Sequence, residues 1–336
     1  MKTHNRYIAI LCAAGMLLLI LDSQTALNGA TEGISLCINS LIPSLFPFFV
    51  LSILLTGALA GQAIRCLKPI GKLCKLPAGS ESIFAVCMLG GYPVGAQNIS
   101  LLFQQGQLTH TQAERMLGFC NNAGPSFIFG VLGSMFSFKI APWLLWSIHL
   151  LSAFIVGALL PVSENECRIS PQIKQIDFTE ALSRAVKLQA LVCGWVIFMR
   201  VILAFTEKWI FQHFPLSMQI IFSGLLELSN GCIRLSTHPC EGLRFIIASA
   251  LLSLGGICVT LQTASAAKGI SMRMYFPGKL LQCSISILLS VFLQFVFPAE
   301  SRFICSSVIS IPFIAIVLLP FMLNQNNSGI FRYNGV

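Results

Sequence analysis

The residue types best suited to binding a polar solute lie in an apolar stretch, residues 84–133, which they interrupt twice. At the first interruption, glycines and a proline accompany the candidate binding residues Gly91, Tyr92, Pro93 and Gln97. Because proline removes a backbone donor and glycine weakens a helix, this segment should leave backbone N–H and C=O groups free. We expect a half-helix to begin after this interruption, with the free N–H groups of its positive end facing a ligand.

The second interruption repeats this arrangement about thirty residues later, with candidate binding residues Asn121, Asn122 and Ser126. Gly124 can cap a helix, and Pro125 suits the first turn of a restarted one. Amide side chains supply donors and acceptors without the desolvation cost of a charge, which suits a polar, planar solute. The alternatives are that Gly and Pro only kink spanning helices, and that buried amides only hold such helices together.

A third candidate site contains Glu227 and Asn230, within residues 216–235. Glu227 is the only acidic residue inside an apolar stretch, a setting in which an ionisable group is expected to be functional. Its carboxylate could bind a donor group of a solute, carry a coupling proton, or ligate a cation such as Na⁺. The alternative is a structural ion pair with Arg200, the only basic residue inside a predicted span.

Composition places these residues in a membrane protein. Of 336 residues, 55% are hydrophobic and only 10% are charged, whereas soluble domains carry about a quarter charged residues. The net charge of +9 resides in short loops, which indicates topology determinants rather than a nucleic-acid surface. The thirteen cysteines are scattered without a CxxC pair, so we predict neither a metal site nor a disulfide framework. Signatures such as HExxH, GxSxG and a Walker loop are missing, and we expect neither an enzyme nor a bound cofactor.

The predicted fold is all-α and polytopic, since about 20 apolar residues suffice for each crossing. Eight transmembrane helices are predicted, at residues 7–21, 34–59, 117–138, 142–160, 188–205, 243–262, 280–297 and 303–323. Two further apolar stretches, residues 82–107 and 216–235, are interrupted near their middles. We predict that each is a re-entrant hairpin, which enters and leaves the membrane on the same side.

Basic residues predict the orientation of these helices. With this topology, fifteen of the 21 Lys and Arg residues fall on the cytoplasmic side, among them Arg115 and Lys279, and five fall outside. This bias predicts that both termini are cytoplasmic.

The order of span, hairpin, broken span and span occurs twice, which predicts two inverted repeats. The expected organisation has five parts: an N-terminal transmembrane helix (1–34), a first repeat (35–161), a cytoplasmic connector (162–187), a second repeat (188–298), and a last helix with a cytoplasmic tail (299–336).

Four segments resemble a known family: SLIPSLFPFFVLS (40–52), LGGYPVGAQ (89–97), FCNNAGPSFIFGVLG (119–133) and LLELSNG (225–231). They resemble the sporulation integral membrane proteins of the YlbJ type, within the nucleoside-recognition or gate-domain family. That family is similar to the concentrative nucleoside transporters, in which two oppositely oriented hairpins and two unwound helices enclose substrate and cation. The resemblance implies that the candidate residues of all three sites bind a substrate.

The resemblance also implies a role in spore formation: transport of dipicolinic acid from the mother cell across the outer forespore membrane. A nucleoside transporter and a non-transporting membrane scaffold needed for spore maturation are the alternatives. The expected partners are the lipid bilayer and a small-molecule solute, while a homo-oligomer and the coupling cation, H⁺ or Na⁺, are left open.

Overall fold

The computed structural model describes residues 2–59, 67–77, 79–162 and 176–296, and all regular structure in these ranges is helical. The α-helices of the first half are α1 (Lys2–Leu21), α2 (Ser23–Leu36), α3 (Ile42–Leu59), α4 (Lys68–Leu73), α5 (Glu81–Gly90), α6 (Val94–Gln104), α7 (His110–Cys120), α8 (Pro125–Phe127) and α9 (Ala141–Leu159). Those of the second half are α10 (Phe178–Trp209), α11 (Leu216–Leu226), α12 (Leu228–Leu235), α13 (Glu241–Leu254), α14 (Gly256–Ala266) and α15 (Tyr275–Val296). The predicted all-α class is confirmed.

Five helical segments of the described ranges are long and apolar enough to cross a membrane: Ser23–Leu59, Ala141–Leu159, Phe178–Trp209, Glu241–Ala266 and Tyr275–Phe295. They correspond to five of the eight predicted spans. Residues 6–21 form a shorter apolar helix, and the span predicted at 303–323 lies outside the described residues. Large apolar side chains such as Leu51, Phe198 and Phe292 are more than half exposed, as expected where helices face lipid. The chain is therefore a multi-pass membrane protein.

Each apolar stretch predicted as a hairpin is a pair of short helices. In the first, α5 and α6 pack against each other and are joined by Gly91, Tyr92 and Pro93, with a cis Tyr92–Pro93 peptide. In the second, α11 and α12 pack against each other and are joined at Glu227. The interruptions therefore lie where the sequence predicted them.

The span predicted at residues 117–138 differs from the prediction in its bounds, whereas the interruption predicted within it is observed between α7 and α8. Helix α7 begins at His110, because Thr109 and Gln112 form a capping box that starts the helix before the apolar run. It ends at Cys120, and after the interruption α8 continues as a π-helical turn (Ile128–Leu132) and a 3₁₀ turn (Gly133–Met135).

Two other helices begin earlier than their apolar runs, again because a side chain caps them. Asp22 accepts a hydrogen bond from the Thr25 N–H, so the first long span begins at Ser23 rather than at residue 34. Asp177 accepts one from the Glu180 N–H, so α10 begins within the predicted connector. In the predicted span at residues 243–262, α13 ends at Leu254, and a left-handed Gly255 separates it from α14.

Two basic residues predicted to lie in cytoplasmic segments are buried instead. Arg115 is 5% exposed, and its guanidinium donates to the carbonyl oxygens of Cys74 (2.8 Å), Lys75 (3.2 Å) and Gly157. Carbonyl oxygens at the end of α9 and after α4 thus replace water around this cation. Lys279 is 2% exposed and lies on α15. Both residues stand at boundaries between polar and apolar segments, which the sequence assigns to loops, whereas the structure places them in helices.

Candidate functional site

The two interruptions of the first half touch each other through their backbones. At Gly91, φ is +76°, and a Cβ atom there would lie 2.9 Å from the Gly124 nitrogen. A Cβ atom at Gly124 would likewise lie 2.9 Å from the Gly91 Cα atom. Only glycine permits this approach, so the α5–α6 connection and the gap between α7 and α8 form one continuous region of non-helical backbone.

Asn121 joins this region to two helices. Its side chain is fully buried; Oδ1 accepts a hydrogen bond from the Ala96 N–H at 3.2 Å, and Nδ2 donates to Thr263 Oγ1 at 2.8 Å. Ala96 lies in the first turn of α6, where backbone N–H groups lack partners within the helix. Asn121 therefore caps α6 from another helix and ties it to α14.

Asn122 faces α15. Its Oδ1 accepts hydrogen bonds from Lys279 Nζ at 3.0 Å and Gln282 Nε2 at 2.9 Å, while its Nδ2 donates to the Phe119 carbonyl oxygen at 2.6 Å. Lys279 Nζ also donates to Gln282 Oε1 at 2.9 Å. The three side chains form a closed, buried cluster, which we call the Lys279 cluster.

Two aromatic rings flank the ammonium group. Lys279 Nζ lies 5.4 Å from the ring centroid of Tyr92 and 5.9 Å from that of Tyr275, within the range of cation–π attraction. The Tyr92 hydroxyl donates to the Leu252 carbonyl oxygen at 2.6 Å, in the last turn of α13. The tip of the first helix pair, the Lys279 cluster and the interruption at Gly255 therefore meet at one place.

His149 is a hydrogen-bonded core residue that links the second interruption to α9. It is 1% exposed on α9, and its Nε2 accepts a hydrogen bond from the Ala123 N–H at 3.0 Å. This acceptor satisfies a backbone donor freed by the second interruption. The His149 carbonyl oxygen accepts from Gln282 Nε2 at 3.3 Å, which links α9 to the Lys279 cluster.

Two other predicted site residues retain unused hydrogen-bonding capacity. Gln97 Oε1 and Ser126 Oγ are buried and have no hydrogen-bond partner in the described part of the chain. Pro93 directly precedes α6, where its missing N–H costs nothing. The structure thus brings the predicted residues of both first-half interruptions together, and two of them keep free polar atoms.

Glu227 and Asn230 form a separate arrangement. The Glu227 carboxylate, in a residue 1% exposed, accepts hydrogen bonds from the N–H groups of Ser229 (3.0 Å) and Asn230 (2.7 Å) and from Asn230 Nδ2 (2.7 Å). It is the N-cap of α12. Among the described residues, no hydrogen bond joins this pair to Asn121 or Asn122.

The alternative ion pair between Glu227 and Arg200 is wrong. The Arg200 guanidinium instead pairs with Glu32 and, at 3.1 Å, with Glu207. Glu207 also pairs with Arg234 at 2.6 Å. Arg200 therefore belongs to an ion-pair network that links α2, α10 and α12.

Lys279 and Gln282 are the site residues that sequence reasoning missed. A signal was available, because Lys279, Gln282, Ser286 and Ser290 recur every three or four residues and form one polar stripe on α15. All four are buried, which is unusual for polar residues in an apolar helix.

Comparison with known proteins yields one curated relative, the sporulation integral membrane protein YlbJ of Bacillus subtilis (strain 168). Identity is 26% over 306 residues, which cover 77% of this chain and 75% of the relative. The match confirms the resemblance to sporulation integral membrane proteins of the YlbJ type and supports a membrane role in sporulation. No family model and no solved structure matches the chain.

Proposed function

We propose that this chain is a membrane carrier that moves a small polar solute by alternating access, and that the solute is dipicolinic acid crossing the outer forespore membrane. In this proposal both termini are cytoplasmic, the two halves are inverted repeats, and the pairs α5–α6 and α11–α12 are re-entrant hairpins. The observation that carries the proposal is the convergence of three helix interruptions, at Gly91, Gly124 and Gly255, around buried polar side chains.

Convergent interruptions favour a carrier because non-helical backbone at membrane depth is tolerated only inside protein or beside a wet cavity. Carriers use such sites to present half-helix ends to a solute near the bilayer midplane. Here α6 and α14 both begin at the convergence, so two positive helix ends lie close to it. No enzymatic role is proposed, because these groups bind and orient rather than form a nucleophile and base.

The choice of dipicolinate rests on chemistry and on the relative. Dipicolinate is a small planar dianion with a ring nitrogen, and helix N-termini and amide N–H groups suit its carboxylates. The curated relative is named as a sporulation protein. Sporulation is also the process in which the family resemblance implies transport of dipicolinate. A nucleoside is the second candidate, favoured by the amides of Asn121 and Asn122 and the free acceptors of Gln97 and Ser126.

The test is thermal stabilisation of the purified full chain in detergent, with dipicolinate, nucleosides and unrelated dicarboxylates as separate probes. A ligand that binds only the folded state raises the melting midpoint by mass action. We expect dipicolinate to raise it and Asn122→Ala to remove most of the shift. Asn39→Ala, which removes an exposed amide, is the matched control and should retain the shift.

Proteoliposome uptake then separates a carrier from a scaffold. Accumulation of labelled dipicolinate by wild-type protein supports transport, and its loss in Asn122→Ala assigns transport to this site. If folded wild-type protein binds and moves none of the probes, the carrier proposal fails and the membrane scaffold is favoured. If nucleosides alone are bound and moved, the second candidate replaces the first.

A further inference from the structure

The buried side chain of Lys279, when protonated, carries a positive charge that no acidic side chain of the described residues neutralises. Six ion pairs occur in this part of the chain, and none includes Lys279. Glu227, the buried carboxylate, is held by the N–H groups of its own helix. Arg200 and Arg115 show two contrasting solutions. Two carboxylates compensate the charge of Arg200. Arg115 has no carboxylate partner among the described residues, but backbone carbonyl oxygens surround its guanidinium.

Such a charge is costly to keep. A buried cation paired only with dipoles loses hydration that amide oxygens and aromatic faces replace incompletely. If the role of Lys279 were only to fill space on α15, an apolar side chain of similar length would do so without that cost. A charged residue inside a membrane protein is therefore expected to have an anionic or ionic partner in its function.

The surroundings of Lys279 match an organic anion with a flat ring. An ammonium group has three donors, and two of them go to Asn122 Oδ1 and Gln282 Oε1. The third has no acceptor among the described residues. Tyr92 and Tyr275 place aromatic rings beside the same nitrogen, and such rings pack against planar heterocycles.

We infer that Lys279 is a substrate-binding residue, which pairs directly with a carboxylate of the transported solute and makes the site selective for planar aromatic carboxylates. This inference rests on the proposed carrier function and adds the residue that selects charge. When no solute is bound, Asn122 and Gln282 hold the ammonium group in place. When a solute is bound, its carboxylate accepts from the same ammonium group together with these two amide oxygens.

The experiment compares affinities for two probes of the same shape, pyridine-2,6-dicarboxylate and the neutral pyridine-2,6-dicarboxamide. Affinities are obtained from dose-dependent thermal shifts of the full chain at constant pH and ionic strength. We expect wild-type protein to prefer the dicarboxylate, and Lys279→Gln to weaken dicarboxylate binding at least about 30-fold without weakening dicarboxamide binding. Lys268→Gln removes an exposed lysine by the same substitution and should leave the preference unchanged.

A second variant covers the case in which Lys279→Gln does not fold. Gln282→Glu places a carboxylate at the position of the Oε1 atom that lies 2.9 Å from Lys279 Nζ. This built-in counter-ion should compete with the solute and abolish the preference for the dicarboxylate in folded protein.

Three results would overturn the inference. The first is a preference for the dicarboxylate that survives both substitutions. The second is a Lys279→Gln variant whose affinities for the dicarboxylate and the dicarboxamide fall equally. The third is a wild-type protein whose melting midpoint no carboxylate raises. In the last case, stabilisation by nucleosides would leave a carrier of neutral solutes. If isophthalate or another aromatic dicarboxylate binds through Lys279 and dipicolinate does not, the inference stands and dipicolinate is refuted as the solute.

Discussion

Replacing Asn121 by alanine tests whether the convergence of helices depends on one amide. The substitution removes the acceptor of the Ala96 N–H and the donor to Thr263 Oγ1, in a side chain that is fully buried. An unsatisfied buried N–H costs about 1–3 kcal/mol, and a lost hydrogen bond costs about 0.5–1.5 kcal/mol. Together they predict that Asn121→Ala lowers the free energy of unfolding by about 1.5–4.5 kcal/mol.

This loss can be read as a shift of the melting midpoint. With an unfolding entropy of about 2.1 cal/mol/K per residue over 336 residues, 1 kcal/mol corresponds to about 1.4 °C. Asn121→Ala should therefore lower the midpoint by about 2–6 °C, measured by fluorescence-detected size exclusion after heating. Thr263→Val removes only the partner on α14 and should lower it by about half as much.

The double variant supplies the stricter criterion. Because Asn121→Ala already breaks the bond to Thr263, adding Thr263→Val should cost little more, and the two shifts should not add. Fully additive shifts would show that the two side chains act independently. With the same unfolding entropy, a midpoint shift of 1 °C corresponds to less than about 1 kcal/mol. If Asn121→Ala shifted the midpoint by less than that, the argument that this amide caps α6 would be refuted.

Two further predictions concern the other interruptions. Gly124→Ala should lower the melting midpoint by about 1–4 °C, because its Cβ would meet Gly91 backbone atoms that cannot rotate away and overpacking costs about 1–3 kcal/mol. Gly194→Ala, whose Cβ meets nothing within 4 Å, is the control and should not lower the midpoint. Glu227→Gln should lower the midpoint by about 1–4 °C, because an amide cannot accept all three hydrogen bonds at the start of α12. Solute uptake by this variant should keep the pH and sodium dependence of the wild type. An altered dependence would assign the coupling ion to Glu227.

The sequence predicted the interruptions of the fold because glycine and proline act locally. Gly91 and Pro93 end and restart a helix whatever surrounds them, and Gly124 with Pro125 does the same. Helix starts were predicted less well, because caps such as Asp177 lie in polar segments that hydropathy assigns to loops. Charged residues of α7 misled the assignment of the first broken span in the same way.

The partners of buried polar groups could not be predicted, since they depend on contacts between distant residues. Lys279 lies beside the apolar run that begins at Leu280, so its charge was assigned to the adjacent loop. Its acceptor, Asn122, is 157 positions away along the chain. Glu227 was recognised as exceptional, but its role as an N-cap depends on backbone geometry that composition does not contain.

The cap that Asn121 provides also limits which parts of the protein can move independently. If α6 were displaced alone, its first turn would lose an acceptor inside the membrane protein, where no water is at hand to replace it. The contact between Gly91 and Gly124 binds the same two segments along their backbones. We therefore expect α5, α6 and the interruption after α7 to travel as one rigid body, with any hinge located outside this unit.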